Sequence, residues 1–209
     1  MNYYIDFDNT LYDTKQLTQM ILLNIASVIS NNTGENLIEL VEKIKQRFNS
    51  GKDNFYSFSE ELANEYNIEK KIFAESIRNT LQNGRILVYP DSILFLERLK
   101  EFGHKIILFT YLPKTNQEYQ LQKINGSGLA KYFDTMIFTT ESKHTLDIDY
   151  KNGIFIDDNT EVLEGLSTKN PFKLIRVRRK GNKYSEIDVE IQNMEEYEYL
   201  GFIPIDFNK

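Results

Sequence analysis

The sequence predicts an α/β fold, a parallel β-sheet with helices on both faces, interrupted by an inserted α-helical block. Three observations predict it. Apolar runs at 2–6, 105–110, 136–140, 153–157 and 173–178 alternate with segments of helical period, as in strand–helix–strand units joined by right-handed crossovers. Between the first two runs, the stretch 14–83 carries helical periodicity alone. Side chains able to do chemistry fall at the ends of several predicted strands, where ligands bind in sheets of this kind: Asp6, Thr110 and the pair Asp157 and Asp158, with Lys143 just after the third run.

The elements follow in order. Tyr3, Tyr4 and Ile5 make the first run a buried strand. Apolar residues then recur at Leu17, Met20, Ile21, Ile25, Val28 and Ile29, and at Leu37, Leu40, Val41, Ile44 and Phe48, which predicts two amphipathic helices. Asn31-Asn32-Thr33-Gly34 separates them, and Asn49-Ser50-Gly51 ends the second. Helical segments over 59–66 and 69–81 complete the block, closed by Asn83-Gly84. Pro90 opens a new helix capped by Asp91 or Ser92, with Leu94, Phe95, Leu96, Leu99 and Phe102 as its buried stripe and Gly103 as its stop.

Lys-Ile-Ile-Leu-Phe-Thr at 105–110 is a continuous apolar run, the mark of a strand covered on both faces. A helix over 116–124 and the strands 136–140 and 153–157 continue the alternation, and the charges of 173–178 suggest an edge strand. The basic stretch 176–183 could bind nucleic acid or a second phosphate; it reads more simply as a charged edge strand and turn. Residues 195–199 read as part of a C-terminal helix. The whole is a Rossmann-like core over 1–13 and 85–209 with a helical cap domain over 14–84. An insertion leaving the sheet directly after Asp6 and Asp8 is expected to act as a lid that excludes water and selects the substrate.

Composition narrows the function. At 209 residues, 41% of them hydrophobic, the chain can bury a real core. Its 31 acidic against 25 basic residues disfavour nonspecific nucleic-acid or membrane binding. There is no cysteine, which excludes disulfides, thiolate catalysis and zinc–thiolate sites. No stretch is apolar enough to predict a membrane span, and the N-terminus runs straight into the acid-bearing strand without a signal-peptide pattern. A soluble cytoplasmic protein is expected.

Asp6 at a strand tip and Asp8 in the turn after it can face one pocket, because a loop breaks the alternation of side chains. Two close carboxylates repel unless a cation or a shared proton lies between them. A divalent metal with hard oxygen ligands and a neutral, proton-donating acid are both open at this point.

The segment Asp6-Phe7-Asp8-Asn9-Thr10-Leu11-Tyr12 resembles the first motif of the haloacid dehalogenase superfamily, Asp-x-Asp-x-Thr or Val after a hydrophobic strand. Thr110, Lys143 and Asp157/Asp158 match the second, third and fourth motifs in order, and the resemblance extends to about Thr168. It implies a phosphatase using Mg²⁺. In it, Asp6 is the nucleophile and a metal ligand, and Asp8 is the general acid and base whose carbonyl touches the metal. Asp157 and Asp158 are the remaining metal acids, with Asp158 the first candidate for direct contact. Thr110 and Lys143 hold the phosphoryl oxygens, with Tyr111 as a neighbouring substrate contact and Lys114 as the rival lysine. An acid at Asp8 points to phosphoryl chemistry, because the dehalogenase branch needs none there.

The sequence departs from the family pattern in two places. Lys143 is followed by His144 where many relatives have Pro, and Thr110 by Tyr111 where many have Asn. His104 and His144 have no partner by spacing and read as ordinary loop residues. The partner implied is a small phosphorylated metabolite. Alternatives are a phosphomutase or nucleotidase of the same superfamily, or a binding module that has lost turnover.

Overall fold

Tyr3, Tyr4 and Ile5 alternate across an extended backbone, so the first strand buries side chains on both faces and can only sit in the middle of a sheet. In the computed structural model, which describes residues 1–51, 54–112, 117–180, 184–188, 199–200 and 203–204, it does. Lys114 and residues 195–198 lie outside the described residues. Strands β1 (Asn2–Ile5), β2 (Lys105–Tyr111), β3 (Thr135–Thr139), β4 (Gly153–Asp157), β5 (Lys173–Lys180) and β6 (Tyr184–Asp188) form one sheet in the order β3-β2-β1-β4-β5-β6. The first five run parallel, and β6 returns antiparallel to β5. Tyr199–Leu200 and Ile203–Pro204 pair as a separate short ladder, so Tyr199 is in a strand rather than the expected helix.

The chain packs as two compact units: residues 1–13, 88–114 and 128–209, and residues 14–87 and 115–127. In the first, the order of strands is that of a Rossmann-like α/β sheet, with α5 (Pro90–Glu101) packed on β2 and α7 (Thr160–Ser167) on β4 and β5. Tyr3 meets Phe95 of α5 edge-on at 6.3 Å. On the opposite face Tyr4 stacks on Phe155 at 4.5 Å between ring centroids, within a cluster that includes Phe109, Leu163, Leu166 and Leu174.

Two local expectations are corrected. β5 is not an edge strand, because β6 covers it, and Arg179 near its end pairs with Asp91. Asp91 and Ser92 do not cap α5. Tyr89 holds the cap position, Pro90 opens the helix, and no side chain caps it.

The second unit is helical: α1 (Thr14–Thr33), α2 (Leu37–Asn49), α3 (Phe55–Tyr66), α4 (Lys70–Gln82) and α6 (Gln117–Ser127). Leu17, Ile21, Ile25 and Ile29 of α1 and Leu40, Ile44 and Phe48 of α2 are the buried stripes that the periodicity predicts. Asn36 and Asn54 cap α2 and α3 through their side chains, and the second cap starts α3 four residues before the expected 59.

Helix α6 packs on α4, although its position in the chain suggested a crossover helix of the sheet. Gly126 is what permits the approach, since a Cβ there would lie 1.8 Å from the Leu81 carbonyl oxygen. Alanine ordinarily favours a helix over glycine by ~1 kcal/mol. Here the backbone clash is larger, and Gly126→Ala is expected to lower stability by about 2 kcal/mol, a fall in Tm of about 5 °C in thermal unfolding. An unchanged or raised Tm would mean that the two helices separate without cost. No helix of the described residues is long and apolar enough to cross a membrane.

Candidate active site

The three central strands β2, β1 and β4 are parallel neighbours, so their carboxyl ends lie side by side on one rim. That arrangement brings together residues far apart in sequence. The Asp6 amide continues the β1–β4 ladder by donating to the Ile156 carbonyl at 2.9 Å, which sets Asp6 beside the end of β4. One carboxylate oxygen from each of Asp6, Asp157 and Asp158 lies within 4.8 Å of the other two. Thr110, buried, is the penultimate residue of β2, and Tyr111 beyond it is exposed.

Lys143 is not a surface lysine. It is 5% exposed, and its ammonium donates to Asp6 Oδ1 and to Asp157 Oδ2, both at 2.7 Å. It also lies 5.4 Å from the centre of the Phe109 ring. Burial pulls its pKa down, but the two carboxylates outweigh burial and push it up to about 12. Lys143 therefore stays cationic and bridges Asp6 to Asp157.

The lysine is held from behind. It opens a 3₁₀ turn, Lys143–Thr145, and the Tyr150 hydroxyl reaches the carbonyls of both Lys143 and Leu146 at 2.8 Å. His144 packs into a notch in α7, where a Cβ on Gly165 would lie 2.4 Å from its Nδ1. His144 thus has a packing role in place of the loop role expected for it. Neither Tyr150 nor Gly165 was visible as a site residue in the sequence, because their contribution is to backbone placement across a turn.

The acids are free for other work because Asn159 caps α7, its side chain accepting from the Glu161 amide at 2.9 Å. Asp157 Oδ1 accepts from the Asn159 amide at 2.9 Å, which orients its other oxygen toward Lys143. Burial raises the Asp6 pKa, opposed by Lys143 and reinforced by Asp157 and Asp8. Asp158 is pushed up to about 6, chiefly by burial and then by Asp157, with Asp8 adding to the effect. Asp8, half-buried, sits in the turn after β1, where it bridges to Tyr12.

Among the described residues, carboxylates outnumber the Lys143 ammonium at this rim, and all are hard oxygen donors. That donor set fits Mg²⁺ and offers nothing to a soft metal.

A family model described as haloacid dehalogenase-like hydrolase matches residues 3–161. The chain belongs to this family. Comparison with curated protein sequences gave no match. Solved structures of similar fold include a HAD phosphatase from Thermococcus onnurineus, 20% identical, covering 96% of this chain and 94% of that one with a TM-score of 0.57. A Thermotoga maritima protein provisionally assigned as a beta-phosphoglucomutase is 18% identical over 87% of each chain, with a TM-score of 0.56. The L-2-haloacid dehalogenase from Xanthobacter autotrophicus is 16% identical over 86% of this chain and 78% of that one, with a TM-score of 0.50. At these identities the similarity is one of fold, shared by haloacid dehalogenase-like hydrolases of differing chemistry.

Proposed function

We propose that this haloacid dehalogenase-like hydrolase is a Mg²⁺-dependent phosphatase that hydrolyses a small phosphorylated metabolite through an aspartyl-phosphate on Asp6. The observation that carries the reading is the trio Asp6, Asp157 and Asp158, the first two buried, with Lys143 between those two. A pocket that gathers this much negative charge favours a divalent cation, and a bound cation makes room for a phosphoryl group. An acid at Asp8 favours phosphoryl transfer over halide displacement, because an alkoxide leaving group needs a proton and a halide does not.

In this reading Asp6, Asp158 and the Asp8 carbonyl would hold Mg²⁺, with Asp157 oriented behind them by Asn159 and Lys143. When bound, the ion screens the negative charge of the phosphoryl oxygens and holds them in line with the attacking carboxylate. One Asp6 oxygen attacks phosphorus as the ester oxygen departs, and Asp8 gives that oxygen its proton. Asp8 then takes a proton from a water that attacks the same phosphorus, breaking the bond to Asp6 and releasing phosphate. Thr110 and Lys143 stabilise the charge on the phosphoryl oxygens, and Tyr111, exposed beside Thr110, contacts the rest of the substrate.

The test is release of inorganic phosphate from a panel of sugar phosphates, nucleotides and phosphorylated cofactors, with and without Mg²⁺. Phosphate release that requires Mg²⁺ is expected for a subset of the panel. Transfer of the phosphoryl group within a sugar, with no phosphate released, would replace this reading by the mutase alternative.

A further inference from the structure

We propose that Arg179, near the end of β5, is a positioning residue for the reaction, holding through the Thr10 carbonyl the loop that carries Asp8. The inference rests on the phosphatase reading. Its origin is a side chain that composition assigned to a solvated basic run and that the fold buries, leaving it 7% exposed.

Every nitrogen of the guanidinium is engaged. Nε donates to the Thr10 carbonyl at 3.0 Å and Nη2 donates to the same oxygen. Nη1 donates to both carboxylate oxygens of Asp91, at 2.8 and 2.7 Å, and Nη2 also reaches Ser92 Oγ at 3.0 Å. The guanidinium carbon lies 3.8 Å from the centre of the Tyr89 ring. One planar fork thus ties the turn after β1 to the first turn of α5.

That turn is packed into the unit, with Phe7, Thr10, Leu11 and Tyr12 fully buried, and hydrogen bonds set its course. Within it, the Asn9 amide donates to the Tyr12 carbonyl and the Leu11 and Tyr12 amides to the Phe7 carbonyl, and Asn9 is left-handed with φ 55°. These bonds shape the loop from within. Among the described residues, the polar anchors from outside it include the bridge from Tyr12 to Val88, the Tyr89 amide on the Leu11 carbonyl at 3.2 Å, and Arg179 on Thr10. Of these, Arg179 grips the residue nearest Asp8. Asp8 has to meet the leaving-group oxygen and later a water, and general acid catalysis is lost quickly when the donor moves off its line. Lysine in place of Arg179 keeps the charge, but it has one nitrogen and cannot span Thr10, Asp91 and Ser92 together.

The readout is a ratio between two substrates of like size. Phenyl phosphate needs its leaving oxygen protonated, whereas p-nitrophenyl phosphate does not. Arg179→Lys is expected to lower kcat on phenyl phosphate about tenfold more than on p-nitrophenyl phosphate, with KM for both within about twofold of the parent. Asp91→Asn, which loosens the fork without removing it, is expected to shift the ratio in the same direction by less, and it decides the matter if Arg179→Lys does not fold. A folded variant that loses both activities in equal proportion, or neither, overturns the proposal. If the parent turns over neither substrate, the metabolite panel alone decides the phosphatase reading. Amide hydrogen exchange then tests the anchor: faster exchange over 9–12 in Arg179→Lys, with 154–156 unchanged, supports it, and unchanged exchange over 9–12 overturns it.

Discussion

Asp6→Asn is expected to abolish turnover, with phosphate release on any substrate of the parent falling by at least about 10³-fold, because the change removes the attacking oxygen rather than weakening a contact. The amide is nearly isosteric, so the fold should survive. Asn still offers an oxygen to accept from the Lys143 ammonium, which in the parent lies 2.7 Å from Asp6 Oδ1. Circular dichroism and Tm close to the parent's, together with lost activity, would place the defect in the chemistry. A second measurement follows the covalent step: borohydride reduction during turnover should label the parent and leave Asp6→Asn unlabelled. A variant as fast as the parent would remove Asp6 from the nucleophile role.

Lys143→Met is the other large effect, and it is read first as stability. The ammonium is the cation between Asp6 and Asp157, all three being buried. Removing one member of a buried ionic group leaves uncompensated charge and costs about 3–5 kcal/mol. Burial already raises the Asp6 pKa in the parent, and without Lys143 it rises further, because the ammonium is the main influence opposing that rise.

The sign of the pH dependence follows. An acid whose folded-state pKa exceeds its unfolded value binds a proton in the folded state that the unfolded state lacks, so folded stability falls as pH rises between the two values. The parent already carries this dependence up to its own raised Asp6 pKa, about 8, so the penalty of Lys143→Met should be smallest below that pH and grow as pH rises toward the higher pKa of the variant. The difference in Tm between parent and variant is expected to be wider at pH 9.5 than at pH 6, measured without metal. A difference independent of pH would show that the lost packing of the lysine stem, not its charge, carries the effect. Activity should fall by about 10²-fold as well, since the same cation faces the phosphoryl oxygens in the proposed mechanism.

Both experiments probe residues whose readability in the sequence differed. Asp6, Asp157 and Asp158 stood out because each ends or follows an apolar run, and in a parallel sheet strand ends share a rim. Lys143 lay just after the third run, but its role came only from the resemblance, with Lys114 as its rival. Nothing local distinguishes a lysine in a polar loop from a solvated one, and burial between Asp6 and Asp157 depends on the path of the loop after β3. Arg179 was misread for the same reason. A basic stretch looks like a solvated edge until a further strand and the first turn of α5 enclose it.

As far as β5, the sequence by itself determined which stretches are strand and which are helix, that these strands make a parallel sheet, and that several acids end on one side of it. Those properties follow from apolar period and from the position of polar residues relative to each run, which are local. Only the tertiary structure decided that α6 packs with the helical unit against Leu81, that β6 covers β5, and that one lysine and one arginine are buried ionic clamps. A periodic pattern says which face of an element must be covered. It does not say what covers it, because many partners bury apolar area equally well, and the choice among them is made by close fits such as Gly126 on α4 and by charges that meet only once the chain has folded.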